Sequence, residues 1–345
     1  MNKAKSLWYT GPESIELREI SIPAPGAHEV LVRIDACGVC TWDLFIFSGG
    51  FQAHKPYPFY FGHEGVGTIT ETGAGVTRVA PGDRVALRES PIIGAPASGH
   101  MAEYAIQREE VVIPLPHDEI PSTLWMVEPV ACCVNAVNLA PVPPGARVAL
   151  VGCGFMGGII LELLSMSPAA EIAVFDVRHE SLQFARSWKE SSSPGGAPIS
   201  IHDVSSGASG TEQGAAERGA ADTTEGLAGS FDIVIETAAT APAFRLADQL
   251  TRPGGTLVIF SWHHHDITFD FGSWHVRGIT VVNASPAAAP DMRTCFLQSV
   301  PLISSKRIDL SPLTTHVAKP EAAPSLYHDG LYKQNGYIKG VIDWS

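Results

Sequence analysis

Apolar residues in the first third of the chain come in short alternating or continuous runs broken by glycine and proline. From about Ser14 to Leu87 they include Glu29-Val30-Leu31-Val32-Arg33-Ile34 and Gly67-Thr68-Ile69-Thr70. Gly82-Asp83-Arg84-Val85-Ala86-Leu87 reads as a turn feeding a strand, and Met101-Ala102-Glu103-Tyr104-Ala105-Ile106 as another. The pattern predicts a small, irregular β-barrel. After Pro141-Val142-Pro143-Pro144-Gly145 the character changes: Arg147 to Val151 is an apolar run, a glycine-rich turn follows, and Gly157 to Met166 reads as an apolar helix. Later runs at Glu171 to Phe175, Phe231 to Ile235, Gly255 to Phe260 and Gly278 to Val282 repeat the theme. Apolar strands alternating with helices imply a parallel sheet covered on both faces, so the predicted class is α/β, a doubly wound sheet beside a barrel.

Between Lys189 and Ser230, Ser, Gly, Ala, Thr and Glu dominate, with one apolar pulse at Pro198-Ile199-Ser200-Ile201. The pulse fits a further strand of the sheet. The rest, near 190–230, reads as a flexible surface insertion whose composition cannot bury enough area to order itself.

Composition narrows the function. At 345 residues the chain exceeds the ~250–300 residues of a single core, which favours two domains. Its net charge of −13 argues against a nucleic-acid groove or an anionic membrane surface, both of which need clustered Lys and Arg. The first residues lack a long apolar stretch, and no apolar run reaches the ~18 residues that span a bilayer, so a cytoplasmic protein acting on a small molecule is expected. Six scattered cysteines do not form a secreted disulfide framework, and adjacent Cys132 and Cys133 read as packed thiols.

Gly152-Cys153-Gly154-Phe155-Met156-Gly157 fits G-x-G-x-x-G, a weak pattern alone that gains force here by following an apolar strand and opening a helix. The glycines permit a tight turn and close backbone approach to a pyrophosphate at the helix N-terminus, the fingerprint of a Rossmann dinucleotide site. Asp176 ends the next strand about 20 residues on, where a carboxylate accepts hydrogen bonds from the adenosine ribose and repels a 2′-phosphate. NAD is therefore expected over NADP, with Arg178 nearby as a residue that stacks on adenine or is merely solvated.

Cys40, Asp43, His63 and Glu64 supply thiolate, carboxylate and imidazole in the β-rich part, and Glu128 adds a carboxylate just before the glycine turn. Such donors suit a catalytic zinc, which takes three protein ligands and keeps one position open. Each residue alone is more often structural; their combination with the nucleotide motif carries the reading. His263-His264-His265 follows a strand, but consecutive histidines do not readily face one metal and exposed loop histidines are common, so they stay outside the expected site.

Together Gly38-Val39-Cys40-Thr41-Trp42-Asp43, Gly62-His63-Glu64-Gly65-Val66-Gly67, Gly73-Ala74-Gly75-Val76 and Pro81-Gly82-Asp83-Arg84-Val85 resemble the zinc-dependent medium-chain alcohol, polyol and threonine dehydrogenases, nearly end to end. The resemblance implies a GroES-like catalytic domain over 1–142, a Rossmann domain over 143–285 and a return to the catalytic domain over 286–345. It implies an NAD-dependent oxidoreductase acting on an alcohol or its ketone, assembled as a homodimer or homotetramer. Cys40 and His63 would be zinc ligands with Glu64 or Glu128, and Asp43 would support the histidine from behind. Two features depart from the family. Glu89 to Gly99 lacks the four cysteines of a structural zinc, leaving one catalytic ion. Trp42 and Phe45 stand where a hydroxyl and often a histidine relay protons, so the proton takes another route, and the two rings either favour a flat or apolar substrate or fill the core. A redox-neutral or double-bond-reducing enzyme of the same fold, and a non-catalytic nucleotide-binding protein, are the rival readings.

Overall fold

The computed structural model describes residues 2–88, 99–191, 196–205, 224 and 226–345. The cysteine-free stretch after Glu89 and most of the expected insertion lie outside them. The chain forms two compact units, Met1–Ala131 with Phe296–Ser345, and Cys132–Cys295.

The first unit opens with β1 (Asn2–Gly11), β2 (Ser14–Ile22) and β3 (Glu29–Val39). A short helix α1 (Thr41–Phe47) leads to β4 (Phe59–Tyr60), β5 (Glu64–Thr72), β6 (Arg84–Leu87), β7 (Tyr104–Arg108) and β8 (Val112–Pro114). β3 is buried along nearly its whole length because it is flanked on every side, pairing with β5 and β7. The region read as rich in strands and loops also contains a helix. Asp43, at its third position, accepts the backbone N–H of Cys40 at 2.8 Å and caps an otherwise strand-prone aromatic run. Tyr9, Phe47, Phe59 and Tyr327 pack in one core, each fully buried ring worth about 2–3 kcal/mol.

Helix α2 (Val127–Leu139) crosses from the first unit into the second. The second unit holds β9 (Arg147–Val151), α3 (Phe155–Ser165), β10 (Glu171–Asp176), α4 (His179–Ser191), β11 (Ile199–Asp203) and β12 (Phe231–Glu236). It continues through α5 (Ala241–Leu250), β13 (Thr251–Ile259), α6 (Phe271–Arg277) and β14 (Thr280–Asn283). The six strands are parallel in the order β11-β10-β9-β12-β13-β14. This is the doubly wound sheet, and the pulse at Ile199 to Ile201 is its edge strand. Residues 189–191 of the expected insertion belong to α4 instead, whose apolar face at Leu182, Phe184 and Ala185 is buried.

Helix α7 (Met292–Ser304) leads back into the first unit, followed by β15 (Thr314–Ala318), α8 (Ala323–Tyr332) and β16 (Lys339–Asp343). β16 lies between β15 and β3, completing the barrel sheet. The unit breaks fall inside α2 and α7, ahead of Pro141 and beyond Ser285.

Candidate active site

At the end of β3 the chain turns into α1 at Cys40, while β5 begins at Glu64, directly opposite Gly38. The register brings Cys40, His63 and Glu64 together: one ligand atom from each lies within 4.8 Å of the others. His63 and Glu64 are buried, and His63 Nδ1 has no hydrogen-bond partner among the described residues. An orphaned buried imidazole nitrogen beside a thiol and a carboxylate is the donor set of a zinc site.

The electrostatics are tightly interlocked. Burial pushes the Cys40 thiol up, opposed by its hydrogen bond to His63 and that ring's charge. Burial lowers His63, but the Cys40 thiol, then Asp43 and Glu128, more than reverse this and leave it well above the usual imidazole range. Glu128, near the start of α2, acts on His63 through its charge and does not join the three-residue cluster.

Asp43 is fully buried. Its Oδ2 accepts from Cys40 N, and its Oδ1 accepts from the Tyr9 hydroxyl at 3.2 Å, which in turn meets Tyr327 at 3.2 Å. Burial raises the Asp43 carboxyl, with His63 the leading opposing charge. No hydrogen bond joins Asp43 to His63 among the described residues. Its support of the site runs through the Cys40 backbone and through charge.

One residue escaped the sequence reading. Lys339, the first residue of β16, places its Nζ 2.8 Å from Oε1 and 2.6 Å from Oε2 of Glu64, with both side chains buried. Burial presses the ammonium down, but Glu64 and then Cys40 carry it above the ordinary lysine value. The signal was a single lysine inside the apolar run Tyr337-Ile338-Lys339-Gly340-Val341-Ile342. Close by, His100 accepts the Gly65 N–H at Nδ1 (3.2 Å), and its Nε2 lies 3.1 Å from the Gln107 side-chain amide. Burial lowers its pKa to about 3. Trp42 and Phe45 stack at 5.4 Å, with Phe51 edge-on to Trp42.

In the second unit, β9 ends at the glycine turn. Gly152 has φ +94°, and a Cβ there would lie 2.7 Å from Thr237 Oγ1; a Cβ on Gly157 would lie 2.2 Å from the Gly152 carbonyl oxygen. Both positions therefore exclude a side chain. Gly154 caps α3, with Phe155 and Met156 in its first turn. Asp176, at the end of β10, accepts from Cys153 N at 2.5 Å and from Val177 N and Arg178 N at 2.7 and 2.8 Å, tying the strand end to the turn. The Arg178 guanidinium lies 3.6 Å from Glu180. A cradle of backbone that tolerates no side chain, at the start of a helix and beside a carboxylate, fits a dinucleotide.

The alcohol dehydrogenase GroES-like domain family matches residues 26–117. Over 334 residues the chain is 28% identical to sorbitol dehydrogenase from Gallus gallus, covering 88% of this chain and 86% of that protein. It is 25% identical to D-xylulose reductase from Saccharomyces cerevisiae, covering 96% and 95%. A solved oxidoreductase of unknown specificity from Escherichia coli superposes with a TM-score of 0.80 at 26% identity, over 99% of both chains. With the barrel and the doubly wound sheet in agreement, the chain carries an alcohol dehydrogenase GroES-like domain and is similar, nearly end to end, to zinc-type alcohol and polyol dehydrogenases of the medium-chain dehydrogenase/reductase family.

Proposed function

We propose that this protein is a zinc-dependent dehydrogenase that moves hydride between a small alcohol or polyol, or the matching ketone, and NAD. The observation that carries the reading is the buried Cys40, His63 and Glu64 cluster with its unpartnered imidazole nitrogen, on a chain that also bears the glycine cradle. Cys40, His63 and Glu64 would hold a single zinc, which when bound supplies Lewis-acid polarisation of the substrate oxygen. Asp43 fixes the Cys40 backbone, and Lys339 orients and neutralises Glu64. Glu128 contributes negative charge that favours a cation, and is the carboxylate to replace Glu64 if Lys339 retains the latter. Gly152, Gly154 and Gly157 admit the pyrophosphate, Phe155 and Met156 set the helix start, and Asp176 favours NAD by its charge. Arg178, drawn toward Glu180, contributes at the adenine edge. A homo-oligomer in the cytoplasm completes the reading; among the described residues no helix is long and apolar enough to cross a membrane.

The test is an NAD-reduction screen over polyols, sugars, cyclitols and aromatic alcohols, paired with metal quantification. One zinc per chain and net NADH formation are expected. Cys40→Ala protein that keeps full zinc and full turnover overturns the assignment.

A further inference from the structure

Glu236, the last residue of β12, is fully buried and has four donors around it. Its Oε1 accepts from Ala238 N and Ala239 N at 2.7 and 2.8 Å. Its Oε2 accepts from the Ser261 hydroxyl and lies 3.0 Å from His263 Nε2. Ala239 is held at φ +58°, an uncommon conformation for a residue with a Cβ, and its N–H also meets Ser261 Oγ at 3.1 Å. One carboxylate thus fixes two loops, those leaving β12 and β13.

A carboxylate only accepts, so the proton of a neutral His263 is on Nε2 and Nδ1 keeps its lone pair. No described residue hydrogen-bonds Nδ1, and the side chain is 14% exposed. The ring is steadied edge-on by Phe244 at 5.9 Å. An oriented acceptor with an open lone pair is a poor choice for mere packing.

Its place on the sheet names the ligand. Strand order reverses at β9, with β10 on one side and β12 then β13 on the other. Ligands of such sheets lie outside the carboxyl ends of the strands at the reversal. Asp176 marks the β10 side for the adenosine half, and the glycine turn takes the pyrophosphate. The second nucleoside then lies over β12 and β13, where Thr237 donates to the Gly152 carbonyl at 2.8 Å and Glu236 holds His263. We propose that His263, oriented by Glu236, is a cofactor-binding residue whose Nδ1 accepts a hydrogen bond from the carboxamide N–H of nicotinamide. This rests on the dinucleotide reading above.

The test is equilibrium binding with zinc-loaded full-length protein, followed by fluorescence, using NADH, its reduced acetylpyridine analogue and ADP-ribose. The analogue carries a methyl ketone in place of the carboxamide, and ADP-ribose has no nicotinamide. His263→Ala is expected to weaken NADH about tenfold, the upper range for one hydrogen bond, while leaving ADP-ribose and the analogue within twofold of wild type. His263→Gln, which retains a side-chain acceptor, is expected to recover part of the loss, and it guards against a misfolded alanine variant. Unchanged NADH affinity in both variants, or equal loss for all three ligands, overturns the proposal. Wild-type protein that binds neither NADH nor ADP-ribose overturns the dinucleotide reading beneath it.

Discussion

Replacing Lys339 with methionine keeps an unbranched side chain of similar reach and deletes the charge facing Glu64. The two side chains are 5% and 1% exposed, and the ammonium stands 2.6 and 2.8 Å from the carboxylate oxygens. At an effective dielectric constant near 20, two charges that close attract by about 6 kcal/mol, an attraction largely offset by the cost of desolvating both. Deleting one partner removes the attraction and leaves the other's desolvation in place, which costs about 3–5 kcal/mol. A zinc ion held by the Cys40, His63 and Glu64 cluster, as proposed above, would give Glu64 a second counter-charge, so the penalty should fall chiefly on metal-free protein. Urea unfolding by circular dichroism, with and without one equivalent of zinc, measures this directly. Metal-free Lys339→Met is expected to lose about 3–5 kcal/mol from the transition of the barrel unit. The zinc-loaded variant should lose less, and Glu64→Gln combined with Lys339→Met should recover most of the loss. A metal-free Lys339→Met protein as stable as wild type, or a double variant no better than the single, refutes the reasoning.

Other consequences are open to measurement. His100 has a folded pKa of about 3 against an ordinary 6.5, so between these values the unfolded chain binds the extra proton. Stability should therefore fall as pH drops from about 6.5 toward 3, at about 1.4 kcal/mol per unit from this residue; His100→Gln should flatten that slope in acid titrations of the unfolding midpoint, and an unchanged slope would exclude His100 as its source. Gly157→Val places a side chain against the Gly152 carbonyl and should abolish NADH binding by calorimetry while zinc content stays at wild-type level. Asp176→Asn removes the charge but keeps an acceptor for the turn; the ratio of kcat/KM for NADP over NAD should rise at least tenfold, and a constant ratio would show that Asp176 does not set the preference.

The geometry of the glycine turn was legible in the sequence because everything that defines it is local: an apolar strand, close-packed glycines and a helix start, with Asp176 one strand on. The pairing of Cys40 with His63 and Glu64 was legible only through motif resemblance, since nothing in either segment alone states that β3 and β5 are neighbours. Lys339 was not legible. It meets Glu64 across 275 residues of chain, and its local sequence is that of an ordinary buried strand. Helix α1 was hidden for a different reason: Trp42, Phe45, Ile46 and Phe47 favour strands, and it is the Asp43 cap together with burial against the barrel core that settles the helix. Glu236 left a trace, an acidic residue closing the apolar run from Phe231, but its meaning came only with the two loops that converge on it.

The position of β16 bears on the order in which the molecule is built. Domains fold largely as units as the chain emerges, and the doubly wound unit is complete before Lys339 has been synthesised. Once folded, that unit holds its own two ends together, with the Asn138 amide 4.0 Å from the Cys295 sulfur. To the rest of the chain it then behaves as a short clip, so the entropy of bringing Lys339 of β16 to Glu64 of β5 is set by the residues left outside it and not by the full 275. Until β16 docks, the end of β3 from Ala36 to Val39 keeps one edge without its partner, the kind of surface on which nascent chains aggregate. A ribosome that pauses within β16 therefore exposes a finished sheet unit joined to a barrel still open beside Glu64, and that pause is where a chaperone has most to protect.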